Sequence, residues 1–297
     1  MSITGREAER YRIWLLWMLL VVFSSTAQAF QVAVVSHKPL ASIERLVQAT
    51  AEQTGARVSS VVWDKAIDWK IYDAVVLAGP KAVELWQPAG TPAVAVFVSR
   101  IVTEQAKTKL ASAVYIEPPL SRQIALAKAI LGNDRPMGIL AQNAQSLSLA
   151  RFAGQPLSAL NVTPYFVDQY DSLNRALVDL LKKNQALIGV YDLELFSSAN
   201  IKNILITAYR QNKPLIGPSS AYIKAGALAT TYSDLDDVAR RLSQILLTGV
   251  KEGVWPAADY NPYFHVRYNE QVGRSLNLVL PQEAQLRQKI SELEATP

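Results

Sequence analysis

The chain has 297 residues, half of them hydrophobic, with a formal net charge of +5 and no cysteine. That length suits two modest domains or one large one. The absent cysteine excludes disulfides, thiol chemistry, thiolate metal sites and a lipid-modified cysteine at a mature N-terminus. The mild charge, spread beside acids without a basic run, leaves no footprint for nucleic acid.

Arg6, Arg10 and Arg12 precede an apolar run, Ile13 to Phe23, and Ala27-Gln28-Ala29 follows. A basic start, an apolar stretch too short to span a bilayer and small residues at a cleavage position predict a secretory signal peptide over 1–29. The mature chain would begin near Phe30 in the periplasm. An uncleaved anchor with Trp14 and Trp17 at the membrane interface is the alternative.

Beyond it, Phe30 to Ser36 reads as a strand and Leu40 to Gln53 as a helix ended by Gly55. Val58 to Trp63, Ala74 to Leu77, Pro92 to Val98 and Ser112 to Ile116 read as further strands, with a short helix after Pro80. Pro118-Pro119 cannot continue a ladder and marks a boundary. Past it come a helix (Ser121 to Leu131), a strand (Met137 to Ala141), a helix (Ser146 to Phe152) and a strand (Val162 to Val167). A helix from Asp171 to Asn184, with Leu173, Leu177, Leu180 and Leu181 on one face, leads to an apolar strand, Ala186 to Tyr191, that ends on Asp192. Ile201, Ile204, Leu205 and Ala208 define one face of a helix started by Ser197 or Ser198. Pro214 to Gly217 is the next strand, running into Pro218, Ser219 and Ser220. Asp234 caps a helix carrying Leu235, Val238, Leu242, Ile245 and Leu246, with Gly249 placed just past its end. Phe264 to Tyr268 reads as a strand, Asn269 to Leu276 as a helix, and Pro281 opens a last amphipathic segment with Leu286, Ile290 and Leu293 on one side.

Strands alternating with helices predict an α/β protein with mostly parallel sheets. The rhythm restarts after the prolines, so two Rossmann-like lobes are expected, 30–117 with 231–258 and 118–230 with 259–297. Further crossings fall near Ala229-Thr231 and Pro256-Pro262, framing a cleft that closes by hinge motion.

The segment from Leu173 to Pro281 resembles the tryptophan/tyrosine-type family of ABC-transporter substrate-binding proteins, with the type I periplasmic binding fold. The likeness lies in the helix before ALIGVYD, in KPLIGPSSAYIKAGALATTYSD, in ILLTG and in VRYNEQVGRSLNLVLP. It covers a little over a third of the chain. In the N-terminal half, Ser36-His37-Lys38-Pro39 stands where the family has a His-Pro turn and Gly79-Pro80-Lys81 where it has a Gly-Thr turn. Phe97-Val98-Ser99-Arg100 stands at the family's ligand loop, without its Asp-Pro. Ala239 occupies a position commonly held by glycine. The chain is similar to a shortened, diverged member.

No H-E-x-x-H, P-loop, G-x-S-x-G or G-x-G-x-x-G occurs, and only His37 and His265 are present, so catalysis, a metal centre and a cofactor are not expected. Ligands of open α/β sheets sit beyond the carboxyl ends of the strands. The candidates there are Ser36, His37, Lys81, Ser99, Arg100, Gln142, Asp192, Ser219, Ser220 and Tyr222. Lys81 or Arg100 would hold a carboxylate. Asp192, which matches the family's acidic residue at that strand end, would hold an ammonium group; a helix N-cap or a hinge salt bridge is its other reading. Trp63, Trp69 and Trp86 suit core packing better than ligand stacking, and Asn161-Val162-Thr163 fits a glycosylation sequon followed by proline. The resemblance implies a small polar ligand and an ABC permease as partner. A sensor or adaptor for a membrane receptor is the alternative, motivated by the missing Asp-Pro.

Overall fold

The chain builds one parallel sheet, leaves it to build a second, and then crosses back and forth once more. The computed structural model describes residues 29–64, 66–148 and 156–295. The expected signal peptide and the helical residues expected over 149–152 lie outside that range. No helix among the described residues is long and apolar enough to cross a membrane.

The strands are β1 (Gln31–Ser36), β2 (Arg57–Val62), β3 (Ala74–Ala78), β4 (Ala93–Val98), β5 (Ser112–Tyr115) and β6 (Met137–Ala141). They continue with β7 (Val162–Phe166), β8 (Ala186–Gly189), β9 (Leu215–Ile216), β10 (Ala229–Tyr232), β11 (Asp259–Tyr260) and β12 (His265–Tyr268). The helices are α1 (Ala41–Thr54), α2 (Pro80–Leu85), α3 (Arg100–Gln105), α4 (Leu120–Leu131), α5 (Ala144–Ser148) and α6 (Leu173–Lys183). After them come α7 (Ser198–Arg210), α8 (Ala221–Ala225), α9 (Leu235–Glu252), α10 (Glu270–Ser275) and α11 (Glu283–Ala295).

The first sheet has the order β11-β5-β4-β3-β1-β2 and is parallel throughout. The second has the order β12-β10-β9-β8-β6-β7 and is parallel except for the β10–β12 pair. This is the expected α/β fold with two lobes. Central strands such as β3 and β4 are unbroken runs of Val, Ala and Leu because both faces are covered. At the second sheet's edge, β7 contains Pro164, tolerated because that strand pairs on one side only. Trp63, Trp69 and Trp86 pack against one another in the first lobe's core, with ring centroids 5.6 to 6.4 Å apart.

Several expected boundaries move. Ser172, not Asp171, caps α6, its hydroxyl accepting from the Arg175 N–H. Gly249 lies inside α9, which runs on to Glu252 and stops at Gly253 with φ 72°. Glycine is needed at 249 because a Cβ there would fall within the Trp255 indole. Residues 229–231, read as a crossing, are strand β10 of the second sheet, and 259–260, placed in the second lobe, pair with β5 of the first. The last helix starts at Glu283 rather than at Pro281, and buries Leu286 and Ile290.

Two adjacent residues at the start of α4 tie the crossings together. Gln123 Nε2 donates to the Gly217 carbonyl (2.7 Å) and to Thr230 Oγ1 (3.2 Å), while its Oε1 accepts from the Thr231 N–H and hydroxyl (3.1 and 3.2 Å). Arg122 is 4% exposed; it donates to the Asn261 carbonyl (3.0 Å) and to the Glu294 carboxylate (2.8 and 3.0 Å), and its guanidinium lies 4.0 Å over the Phe264 ring. On the first-lobe side, Tyr115 donates to the Ala258 carbonyl (3.2 Å) and packs edge-on to Tyr260.

Candidate functional site

Both sheets present the carboxyl ends of their strands to one space, as parallel βα units dictate. Gln31–Pro297 forms one unit, so that space belongs to a single body. It holds two cavities that share Pro118 and Tyr191. The smaller, of about 60 Å³, gathers most of the charge: Arg100 and Glu117 from the first lobe's side, Tyr260 from β11, and Tyr191 and Asp192 following β8, while Asp234 lines the larger. The larger, of about 490 Å³, is mainly apolar, with Leu40, Ile43, Phe97, Ile116 and Val238 beside Ser219 and Ser220.

Glu117 is the least ordinary group. Its Oε1 accepts from the Arg100 N–H at 2.7 Å, whereas Oε2 is shielded from solvent and has no hydrogen-bond donor among the described residues. Burial pushes its carboxyl above the usual carboxylate range, against the backbone hydrogen bond and the Arg100 charge, which pull it down. Burial likewise raises Tyr191, helped by Glu117, and raises Tyr260 to about 12 despite the charge and hydrogen bond of Arg100. A cation, a buried acid and weakly acidic phenols thus meet in one small space.

Two backbone devices shape the walls. Gly189 ends β8 where a Cβ would come within 2.9 Å of Pro218 Cδ and 3.2 Å of the Phe196 ring, so glycine lets this rim close. Phe97 sits at φ 57°, where the β4–β5 register shifts between Val96 and Val98. Such a bulge re-aims a side chain, and the left-handed conformation costs a residue with a Cβ roughly 1 kcal/mol. The ring it carries lines the larger cavity.

Of the expected site residues, Arg100 and Asp192 line the smaller cavity and Ser219 and Ser220 the larger. Asp192 also stabilises its own turn, Oδ1 accepting from the Glu194 and Leu195 N–H groups at 3.0 and 2.9 Å. The other six line neither cavity. Ser36 is buried and donates to the Lys38 carbonyl (2.8 Å), and His37 is exposed. Lys81 pairs with Glu84 (2.8 Å) on the surface, and Ser99 caps α3. Gln142 accepts the Asp168 N–H with its backbone carbonyl (3.1 Å), and Tyr222 donates to the Phe196 carbonyl (2.7 Å). Sequence reasoning missed Glu117, Tyr191, Tyr260 and Phe97. Glu117 had one visible signal, an acid directly before the two prolines of the first crossing.

His265 Nε2 lies 3.3 Å from both Asp234 Oδ2 and Asp237 Oδ2, a set with its ligand atoms within 4.8 Å of one another. Both acids already serve a reciprocal capping box at the start of α9, each accepting the other's N–H at 2.9 to 3.0 Å. Burial raises the Asp237 carboxyl. The cluster braces α9 against β12. The Asn161 amide, in the expected sequon, donates to the Asp134 carbonyl (2.9 Å).

No protein-family profile matches the chain, and no curated protein matches its sequence. Solved structures do match. A ligand-free, open substrate-binding protein with adhesive properties from Clostridium difficile aligns with TM-score 0.63 at 12% identity, over 86% of this chain and 97% of that one. A conserved domain protein from Vibrio cholerae gives 0.55 at 15%, over 88% and 98%. An ABC domain in complex with L-Trp from Streptococcus pneumonia gives 0.53 at 14%, over 86% and 97%. At these identities the likeness is one of fold, and the fold is that of type I periplasmic binding proteins.

Proposed function

We propose that this chain is the periplasmic solute-binding component of an ABC-type importer, holding a small polar ligand between its lobes. The observation that carries the reading is the pair of neighbouring cavities at the strand ends, which share Pro118 and Tyr191, one richer in charge and one mainly apolar. An amino acid or related zwitterion suits that division, with its head beside Arg100, Glu117 and Asp192 and its apolar part against Phe97 and Ile116. The names of the matched structures, a substrate-binding protein and a complex with L-Trp, support the same direction. The first lobe would be 30–117 with 231–258, adjusted at the two strands described above.

The test is a thermal-denaturation screen of the mature protein against amino acids, amines, sugars and organic acids. A true ligand at a hundredfold excess over Kd stabilises by about 2.7 kcal/mol. A flat screen contradicts the reading. A second reading, a sensor or adaptor for a membrane receptor, draws on the small volume of the charged cavity and the absent Asp-Pro at Phe97–Arg100. Purification from membranes with a permease favours the first, and with a sensor kinase or receptor the second.

A further inference from the structure

We infer that Asp234, Asp237 and His265 hold a divalent transition-metal cation such as zinc, which fastens α9 to β12 where the chain crosses between its lobes. This goes beyond the solute-binding reading and does not depend on it. His265 comes from β12 of the second sheet. The two acids come from the start of α9, which packs along α1 beside the first sheet.

Distances carry the inference. His265 Nε2 lies 3.3 Å from Asp234 Oδ2 and 3.3 Å from Asp237 Oδ2, and ligand atoms of the three residues lie within 4.8 Å of one another. A charge-assisted N–H···O bond is roughly 2.7–2.9 Å long, and Nε2 carries one proton at most, which serves two oxygens poorly. Two ligands each about 2.0–2.1 Å from one zinc ion, at the tetrahedral angle, stand roughly 3.3–3.4 Å apart. One ion therefore satisfies both spacings, where a proton satisfies neither.

The acids are held ready for it. Asp234 Oδ1 accepts the Asp237 N–H at 2.9 Å, which leaves Oδ2 for the ion. Asp237 Oδ2 accepts the Asp234 N–H at 3.0 Å with a lone pair to spare. Carboxylates that bind metal are oriented by hydrogen bonds of this kind. The His265, Asp234 and Asp237 side chains are 40%, 44% and 16% exposed, which leaves a path for the ion and room for water to complete its shell. Two carboxylates beside one imidazole also concentrate negative charge that a divalent ion offsets. Imidazole as a ligand favours zinc and its first-row neighbours, whereas calcium and magnesium take oxygen ligands.

Calorimetric titration of the tag-free, chelator-stripped protein with the chlorides of zinc, cobalt, magnesium and calcium tests this, beside Asp234→Asn, His265→Gln and His37→Gln. Asn is as good an N-cap as Asp, so α9 survives the first change. The expected result is one zinc per chain in the parent and in H37Q, a loss of more than about tenfold in D234N and H265Q, and no binding of magnesium or calcium. Cobalt should give the visible absorption of a tetrahedral site in the parent and lose it in both site variants. Should H265Q not fold, D234N decides alone. No zinc uptake by the parent, or equal affinity in D234N or in a folded H265Q, overturns the inference. So does equal binding of calcium, which would mark an acidic patch only, or a loss confined to H37Q. In each of these cases the solute-binding reading stands.

Discussion

Glu117 and Gln123 lie six residues apart on one crossing and are treated in opposite ways. Gln123, 2% exposed, is bonded through both ends of its amide to Gly217, Thr230 and Thr231 around the second sheet's β9 and β10. Glu117 has one oxygen bonded and the other shielded and unpaired. The first arrangement fixes a geometry, because buried polar networks are costly to rearrange once every member is satisfied. The second costs stability, because a buried acceptor is left without a donor. One short segment therefore holds both a fully satisfied and a half-satisfied buried polar side chain.

Breaking the brace should produce the largest effects. Arg122→Ala removes the buried charge that joins α4, Asn261 and Glu294, and should cost about 3–5 kcal/mol in urea denaturation. Gln123→Ala strands the Thr231 N–H, for about 1–3 kcal/mol if left unpaired, while the Gly217 carbonyl keeps its bond from the Thr230 hydroxyl. Surviving Arg122→Ala protein should keep the parent's ligand preference, since Arg122 lines neither cavity, whereas Gln123 lines the smaller one.

Glu117→Gln should act in the other direction, and with pH. The folded-state carboxyl is raised above the ordinary 4.5, so the native chain holds that proton more tightly than the unfolded one. Stability linked to Glu117 is thus fully present below 4.5 and lost as pH rises through the raised value. Across pH 4 to 7 the melting temperature of the parent should fall relative to E117Q; parallel curves would contradict the burial assigned to Glu117. The smallest effect belongs to Lys81→Ala. Its pair with Glu84 is half to two-thirds exposed, and the change should move stability by less than about 0.5 kcal/mol and leave binding untouched.

Much of the fold was legible because its signals are local. Buried runs such as Val75-Val76-Leu77, and the spacing of Leu177, Leu180 and Leu181 on α6, declare strand and helix without reference to distant residues. What escaped depends on partners far along the chain. Gly249 reads as a stop until Trp255 is seen folding back against it, and Ala229–Tyr232 is a strand only through its pairing with β9 and β12. The site divides in the same way. The rule that ligands lie beyond strand ends picked out Arg100, Asp192, Ser219 and Ser220, which line cavities, but cannot say which side chains face inward. Ser36, Ser99 and Tyr222 sit at such ends and spend their hydroxyls on local backbone. Phe97 lines a cavity at a bulge set by the β4–β5 register, and the unpaired oxygen of Glu117 shows only once every donor near it is placed.

The central claim is that a small molecule occupies the space between the lobes, and small-angle X-ray scattering tests it most directly. With a compound that raises the melting temperature, at saturation, the lobes should draw together and the radius of gyration should decrease. An unchanged scattering curve under saturating ligand would contradict binding in a closing cleft.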